Sequence, residues 1–286
     1  DRMPAFYNQA TLTYNNQTAV SNIVTGELVE VLSAVKTAVS PFYRAGDIIT
    51  YAVGIVNSGS SAYTGLTVTD DLGAYAFGAG TLVPLDYVEG SVRLFINGAL
   101  QPAPVIIDTQ PLTVTGINVP ADGDAVLVYS ARANQYAPLA GGSVITNTAT
   151  VTGAGLSAPI TVTDTLPVDA IADLSIIKAI NPVNVVENEP FTYTFTIQNT
   201  SLSPAVASDN VTVTDTFDPI LEIQSVTLNG VPLAEGTGYT YNAATGAFAT
   251  VPSVITVPAA TVVQDMATGA WIVTPGTAVL TVTGVI

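Results

Sequence analysis

Apolar and polar side chains alternate at a period of two along almost the whole chain, and the pattern is written twice in the same order. It is clearest in Thr50-Tyr-Ala-Val-Gly-Ile-Val56, Leu66-Thr-Val-Thr69, Phe191-Thr-Tyr-Thr-Phe-Thr-Ile197 and Val211-Thr-Val-Thr214. That period belongs to half-buried strands with Thr facing outward, and no stretch carries a sustained helical period. Turn residues separate the strands: Asn57-Ser-Gly-Ser60, Asn97-Gly98, Asp122-Gly123, Gly141-Gly142 and Asn229-Gly230. Aligning the halves sets Lys36 against Lys178, Asp70 against Asp215, and Asn97-Gly98 against Asn229-Gly230. The halves read as two copies of one module.

Many short strands at this spacing predict an immunoglobulin-like sandwich for each copy. The expected fold is all-β: two tandem immunoglobulin-like β-sandwiches preceded by an N-terminal donor strand segment. The expected bounds are 1–30 for that segment, 31–168 for the first sandwich and 169–286 for the second, with a short linker near Pro167 to Ala172. The copies differ at their ends. After Val126-Leu-Val-Tyr129 the first runs on to Ile145-Thr-Asn-Thr-Ala-Thr-Val151 and Ile160-Thr-Val-Thr-Asp164, whereas the second reaches Ala278-Val-Leu-Thr-Val282 and the sequence stops at Ile286. Counterparts of the extra strands stand at the N-terminus. Asn8-Gln-Ala-Thr-Leu-Thr13 resembles Asn147-Thr-Ala-Thr-Val-Thr152, and Ser21-Asn-Ile-Val-Thr25 resembles Ala158-Pro-Ile-Thr-Val162. Phe6, Asn8, Ala10 and Leu12 are expected on one face of the donor strand.

Composition narrows the classes of function. Only 10% of residues are charged, against about 25% in an average soluble domain, and Thr, Ser, Asn and Tyr carry the polar share. Six Lys plus Arg against 22 Asp plus Glu give a net charge of -16, which repels phosphate backbones and anionic headgroups. Nucleic acid is therefore not an expected partner, and membrane insertion is not expected either: mean hydropathy is +0.48, yet no apolar run approaches the ~18 residues of a spanning segment. The absence of His and Cys excludes His-based triads, Cys nucleophiles, disulfides and the usual zinc sites. No phosphate-cradling Gly loop accompanies either lysine. The expectation is a protein that is not an enzyme on external substrates, with no cofactor and no metal. Asp70-Asp71 alternate to opposite faces, and Asp122-Gly-Asp124 supplies too few oxygens for calcium. Sequons stand at Asn16, Asn199 and Asn210, and Tyr239, Tyr241 and Trp271 read as strand-face packing.

Ala172-Asp-Leu-Ser-Ile-Ile-Lys178, Phe191-Thr-Tyr-Thr-Phe-Thr-Ile-Gln-Asn199 and Asn210-Val-Thr-Val-Thr-Asp-Thr216 resemble the bacterial and archaeal cell-surface repeat called domain of unknown function 11. Leu32-Ser-Ala-Val-Lys36, Ile49-Thr-Tyr-Ala-Val-Gly-Ile-Val-Asn57 and Leu66-Thr-Val-Thr-Asp70 form a more divergent copy. The resemblance implies β-sandwich stalks of secreted or cell-surface proteins with no assigned reaction. The second copy departs from it in lacking the closing strands usually begun by Asn-Thr-Ala.

A sandwich without its last strands recruits other chains through its open edge. The expected function is therefore a structural subunit of an extracellular, pilus-like cell-surface filament. Copies of itself would join head to tail by donor-strand complementation, as pilus subunits of several lineages do, with the anchoring partner open. The alternative is an adhesin or surface-layer stalk module that does not polymerise by itself, its ends an arbitrary cut from a longer array.

The chain has two lysines, at the same repeat position, and alternation turns both inward, with Leu32 and Ala34 and with Leu174 and Ile176. The same counting turns Asp70, Asp215 and Asn147 inward. Burial favours a neutral amine and a protonated carboxyl, the states needed for Lys to attack an Asn carboxamide. The trio resembles that of isopeptide-forming domains of Gram-positive pilins. The expected pairs are Lys36 with Asn147, assisted by Asp70, within the chain, and Lys178 with Asn8 of another copy, assisted by Asp215. A buried Lys–Asp ion pair beside a hydrogen-bonded Asn is the other reading of the same residues.

Overall fold

The computed structural model describes residues 5–27 and 29–286. The head forms β1 (Ala5–Asn8), β2 (Thr11–Tyr14), β3 (Gln17–Val20) and β4 (Val24–Glu27). β2 turns into β3 through Asn15 and Asn16, both with positive φ (42° and 60°), the turn whose twist suits a two-residue hairpin. β1 pairs with β4 and β2 with β3, so the head is one hairpin interrupted at Gln9 and Ala10. Phe6, Tyr7 and Leu12 are exposed on it. Among the described residues it pairs with no strand of either sandwich.

The first copy contains β5 (Leu32–Ala38), β6 (Ile48–Asn57), β7 (Tyr63–Asp70), β8 (Tyr75–Phe77), β9 (Gly80–Leu82), β10 (Leu85–Tyr87), β11 (Arg93–Ile96) and β12 (Ala99–Leu100). There follow β13 (Val105–Thr109), β14 (Leu112–Val119), β15 (Gly123–Ala133), β16 (Val144–Thr152) and β17 (Ile160–Pro167). One sheet runs β12-β11-β15-β6-β5, with β10 also on β15; the other runs β13-β14-β7-β16-β17. Their facing residues, among them Tyr51, Val53, Ile55, Val68, Val114, Leu127 and Val151, make one core.

The second copy contains β18 (Leu174–Asn181), β19 (Phe191–Asn199), β20 (Thr214–Thr216), β21 (Glu222–Leu228), β22 (Val231–Pro232) and β23 (Tyr239–Asn242). It continues with β24 (Ala247–Thr250), β25 (Thr261–Gln264), β26 (Trp271–Thr274) and β27 (Gly276–Val285). The sheet β22-β21-β27-β19-β18 repeats β12-β11-β15-β6-β5 strand for strand. The facing sheet, β23-β24-β20, repeats only β13-β14-β7. Phe191, Phe195, Ile197, Phe217, Phe248, Leu280 and Val282 form its separate core. Helix is confined to a single 3-10 turn, Ala207–Asp209, among the described residues.

Two asparagines in each copy occupy equivalent places. Asn97-Gly98 and Asn229-Gly230 are positive-φ turns, and their carboxamides accept from the N–H groups of Asp124 (2.9 Å) and Val279 (2.8 Å). Asn57 and Asn199 end equivalent strands and are wholly buried. Asn57 donates to the carbonyls of Ser61 and Pro120 and accepts from the Gly59 N–H. Asn199 donates to Ser203 and Pro258 and accepts from Ser201 and Asp173. Each carboxamide satisfies loop groups that burial would otherwise leave unpaired. The sequon at Asn199 is therefore sealed inside the fold, while Asn16 and Asn210 are exposed.

After Pro258 the second copy inserts the hairpin β25–β26, which has no equivalent between Pro120 and Gly123. It folds back on the first copy. Val262, Val273 and Trp271 pack against that copy's core, and the Trp271 backbone N–H donates to the Gln135 carbonyl at 2.8 Å. Trp271, expected to pack on a strand face, does so across the boundary between the copies.

Asn57→Ala is expected to destabilise the chain by roughly 2 kcal/mol, because it leaves several buried backbone groups without partners. Asn199→Ala should do the same in the second copy. Urea unfolding followed by circular dichroism measures both, and a loss below about 0.5 kcal/mol would contradict the structural role.

Candidate functional site

The sequence places a lysine on the first strand of each copy, and the structure puts the two in different surroundings. In the first copy β16 lies beside β7, with Ala149 opposite Asp70 and Thr150 opposite Thr69, and β17 continues the layer to the flank of β5. Asp164 of β17 accepts from the Ala38 N–H at 3.1 Å. This layer closes over Lys36, whose side chain is 0% exposed. Asp70 is equally enclosed and pairs with Lys36 Nζ and the Tyr129 hydroxyl through Oδ2, while its Oδ1 accepts from the Leu72 N–H at 3.0 Å.

Asn147 is wholly buried in the same cluster. Its Oδ1 accepts from the Gly73 N–H at 3.1 Å, and its Nδ2 approaches the Tyr129 hydroxyl at 3.5 Å. Lys36, Asp70 and Asn147 are thus brought together, with Tyr129 as the bridge. Tyr51 completes the site: its ring lies 5.0 Å from Lys36 Nζ and stacks on Tyr129 at 5.8 Å. Sequence reasoning missed both tyrosines. The available signal was alternation, since Tyr51 and Tyr129 occupy inward positions of adjacent strands directly opposite each other.

Burial pushes the Lys36 ammonium below its ordinary value, with Asp70 opposing the change. It pushes the Asp70 carboxyl above its ordinary range, opposed by Lys36 and by the Tyr129 and Leu72 donors. Both shifts disfavour charge in a buried site, which is the direction that frees a lysine electron pair and leaves a proton on the carboxyl. The geometry holds a nucleophile, an acid and a carboxamide within one buried cluster.

In the second copy the expected burial is not met. The Lys178 side chain is 42% exposed and that of Asp215 19%, although the two still pair. Ile176, on the same face, is 54% exposed, and Leu174 is 37% exposed where its counterpart Leu32 is 7%. The face is the predicted one; among the described residues nothing lies across it, because no strand pairs with the free edge of β20. Three rings line Lys178 Nζ, those of Tyr193 at 4.4 Å, Phe195 at 5.4 Å and Phe217 at 5.6 Å. Tyr129 has no hydroxyl counterpart, since Val282 stands opposite Tyr193 as Tyr129 stands opposite Tyr51.

Asn8 lies exposed on β1, opposite Val24. Since Asn147 stands opposite Asp164, Val24 occupies the place of Asp164. That corrects the expected alignment of Ser21–Thr25 with Ala158–Val162 by three residues. The path from Asn8 to Val24 is one residue shorter than that from Asn147 to Asp164, whereas alignment by residue type made it two residues longer. The Phe6 ring lies across Gly26, a position that a Cβ would obstruct.

Solved structures with some similarity include three bacterial surface proteins. The collagen-binding domain of a Staphylococcus aureus adhesin is 11% identical with a TM-score of 0.31, over 49% of this chain and 99% of that one. BcpA, the major pilin subunit of Bacillus cereus, is 15% identical with a TM-score of 0.33, over 71% and 69%. The Streptococcus pneumoniae pilus backbone RrgB is 10% identical with a TM-score of 0.32, over 89% and 84%. Overlaps this weak decide nothing about this chain's role. No protein-family model and no curated protein matches the sequence.

Lys36→Met is expected to cost the isolated chain roughly 3 kcal/mol, because it strands Asp70 in a dry core. Lys178→Met should cost under about 1 kcal/mol, because its ion pair is open to solvent. Equal losses for the two variants in urea unfolding would show that the sites do not differ in burial as described.

Proposed function

We propose that the chain is a structural subunit of an extracellular filament, joined head to tail when the N-terminal hairpin of one copy covers the bare face of the second sandwich of another. The observation that carries this is the pairing of an open face with a free hairpin of matching text. The first copy displays the closed form of the same face. Phe6, Asn8, Ala10 and Leu12 follow the order of Ile145, Asn147, Ala149 and Val151, all buried there. Strand addition of this kind satisfies the β20 edge through ladder bonds and sets the register by alternate side chains.

The register follows from the template. Ala149 stands opposite Asp70, so Ala10 takes the place opposite Asp215, and Thr11 opposite Thr214. A small residue is needed there because the carboxylate and the lysine fill the space above it. Asn8 is then delivered toward Lys178, as Asn147 is toward Lys36. Burying Leu174, Ile176, Phe6 and Leu12 contributes roughly 2 kcal/mol for each side chain fully covered. The contact is heterologous, so it propagates as an open fibre unless its rotation closes a ring.

Covalent locking belongs to the same reading. The neutral Lys amine attacks Cγ of the Asn carboxamide, a C–N bond forms, and the carboxamide nitrogen leaves as ammonia, carrying the proton that the amine gives up through the Asp carboxyl. Lys36 joins Asn147 within a chain, and Lys178 joins Asn8 of the neighbour. A surface repeat of the domain of unknown function 11 type fits this role.

The test introduces Thr11→Cys and Thr214→Cys together into a chain that has no cysteine of its own. Oxidation should yield a ladder of oligomers on denaturing gels, absent when residues 5–27 are deleted and weak when Thr18→Cys replaces Thr11→Cys. Monomers alone, or equal ladders from both cysteine pairs, would overturn the proposed joint. Intact mass decides the locking: loss of one ammonia per bond is expected, and an unchanged mass in monomer and fibre would remove that part.

A further inference from the structure

The joint between the two copies is a template for the joint between two chains. After β17 the polypeptide is held by the loop between β5 and β6. The Tyr43 N–H donates to the Pro167 carbonyl at 3.0 Å, the Asp169 N–H donates to the Tyr43 carbonyl at 2.8 Å, and Tyr43 and Val168 form a parallel bridge. Arg44 fastens the same place by charge. Its Nε and Nη2 reach Asp169 Oδ2 at 2.7 and 2.6 Å, and its Nη1 lies 3.7 Å from Asp173 Oδ1. Asp169 is buried and Arg44 half-exposed, so the pair closes the joint with one partner kept wet.

On the receiving side the equivalent residues of the interchain joint can be read off without insertions, and in the head Val29 and Val31 stand two apart where Asp169 and Asp173 stand four apart. Lys36, Tyr51 and Asn57 correspond to Lys178, Tyr193 and Asn199, so Tyr43 and Arg44 correspond to Val185 and Val186. In the head, Val24 takes the place of Asp164, so Glu27 takes that of Pro167 and Val29 that of Asp169. Val31 precedes Leu32 as Asp173 precedes Leu174. Three charged groups, Arg44, Asp169 and Asp173, are therefore replaced together by Val186, Val29 and Val31. Val186 is 53% exposed and Val29 61%. Among the described residues the Val185 backbone shows none of the bonds that Tyr43 makes.

We infer that successive chains meet at an apolar seam in which Val185 and Val186 of one copy receive Val29 and Val31 of the next. This rests on the donor-hairpin reading of the open face and adds to it the surface that sets which joint a head can enter. The Val185 backbone takes the bonds to the Glu27 carbonyl and the Val29 N–H that Tyr43 gives to Pro167 and Asp169. The replacement also separates the two joints. A head that displaced β17 from the first copy would set Val29 against Arg44 and strand its charge, whereas at Val186 it meets its own kind. Screening salt leaves such a seam intact, because no charge pair holds it.

The experiment moves the internal charge pair to the interchain seam. Val186→Arg and Val29→Asp, made singly in the full chain, should each slow assembly roughly tenfold or more as read by light scattering. The double variant recreates the Arg44–Asp169 pair between chains and should assemble at close to the parent rate, now with a dependence on salt that the parent lacks. Monomer melting should be unchanged by either single variant, since both positions are exposed in the lone chain. Parent-like assembly by both single variants, with the Thr11→Cys/Thr214→Cys ladder still forming, would overturn the seam and leave the donor hairpin standing. Single variants that slow assembly without rescue in the double would overturn the pairing of Val186 with Val29. Absence of the ladder in the parent background would remove the donor reading and the seam together.

Discussion

Coverage of one sheet face is the constraint on which the rest of this structure depends. A strand that alternates Leu, Ile or Ala and Lys inward is stable only when a second layer excludes water from that side, and the layer must also pair the edge it lies along. In the first copy β16 and β17 meet both needs at once: β16 hydrogen-bonds to β7, β17 hydrogen-bonds to β16, and the layer covers Leu32 and Lys36. In the second copy the same strands present the same residues to solvent among the described residues. In the proposed assembly the free hairpin at the head of one copy covers the bare face of another.

Charge follows coverage. Lys36 and Lys178 sit on equivalent strands opposite equivalent aspartates; burial pushes the Lys36 ammonium below its ordinary value, and the Lys178 side chain is left 42% exposed. The covered site adds Tyr129 to hold Asp70; the uncovered one surrounds Lys178 with Tyr193, Phe195 and Phe217. A ring face attracts an ammonium, so these rings hold the lysine over the open face. In the proposed assembly the neighbour's hairpin brings the exclusion of water, and with it the chemistry that the first copy already has the means for.

The two joints are built from opposite materials. Within the chain, Arg44 with Asp169 and Asp173 and the inserted hairpin bearing Trp271 tie the copies together. In the proposed joint between chains the corresponding positions are valines, and no inserted hairpin precedes the first copy's β15. The proposed filament then alternates a charge-pinned joint with an apolar one.

Much of this was legible without coordinates. Period-two alternation determined the strands, the recurrence of Lys, Tyr, Asn and Asp determined that there are two copies, and turn residues such as Asn97-Gly98 and Asn229-Gly230 determined where strands reverse, because each depends only on neighbours along the chain. Lys36, Asp70 and Asn147 were found by the same counting. Tertiary structure alone decided that Lys178 is exposed, since alternation says which face a side chain takes and not whether anything covers it. It alone brought in Tyr129 and Tyr51, which meet Asp70 and Lys36 from other strands, set the head's return arm three residues from its expected place, and sent Trp271 to the neighbouring copy's core. Those outcomes depend on which surfaces meet, and a linear text carries that only where one copy of a repeat serves as the template for the other.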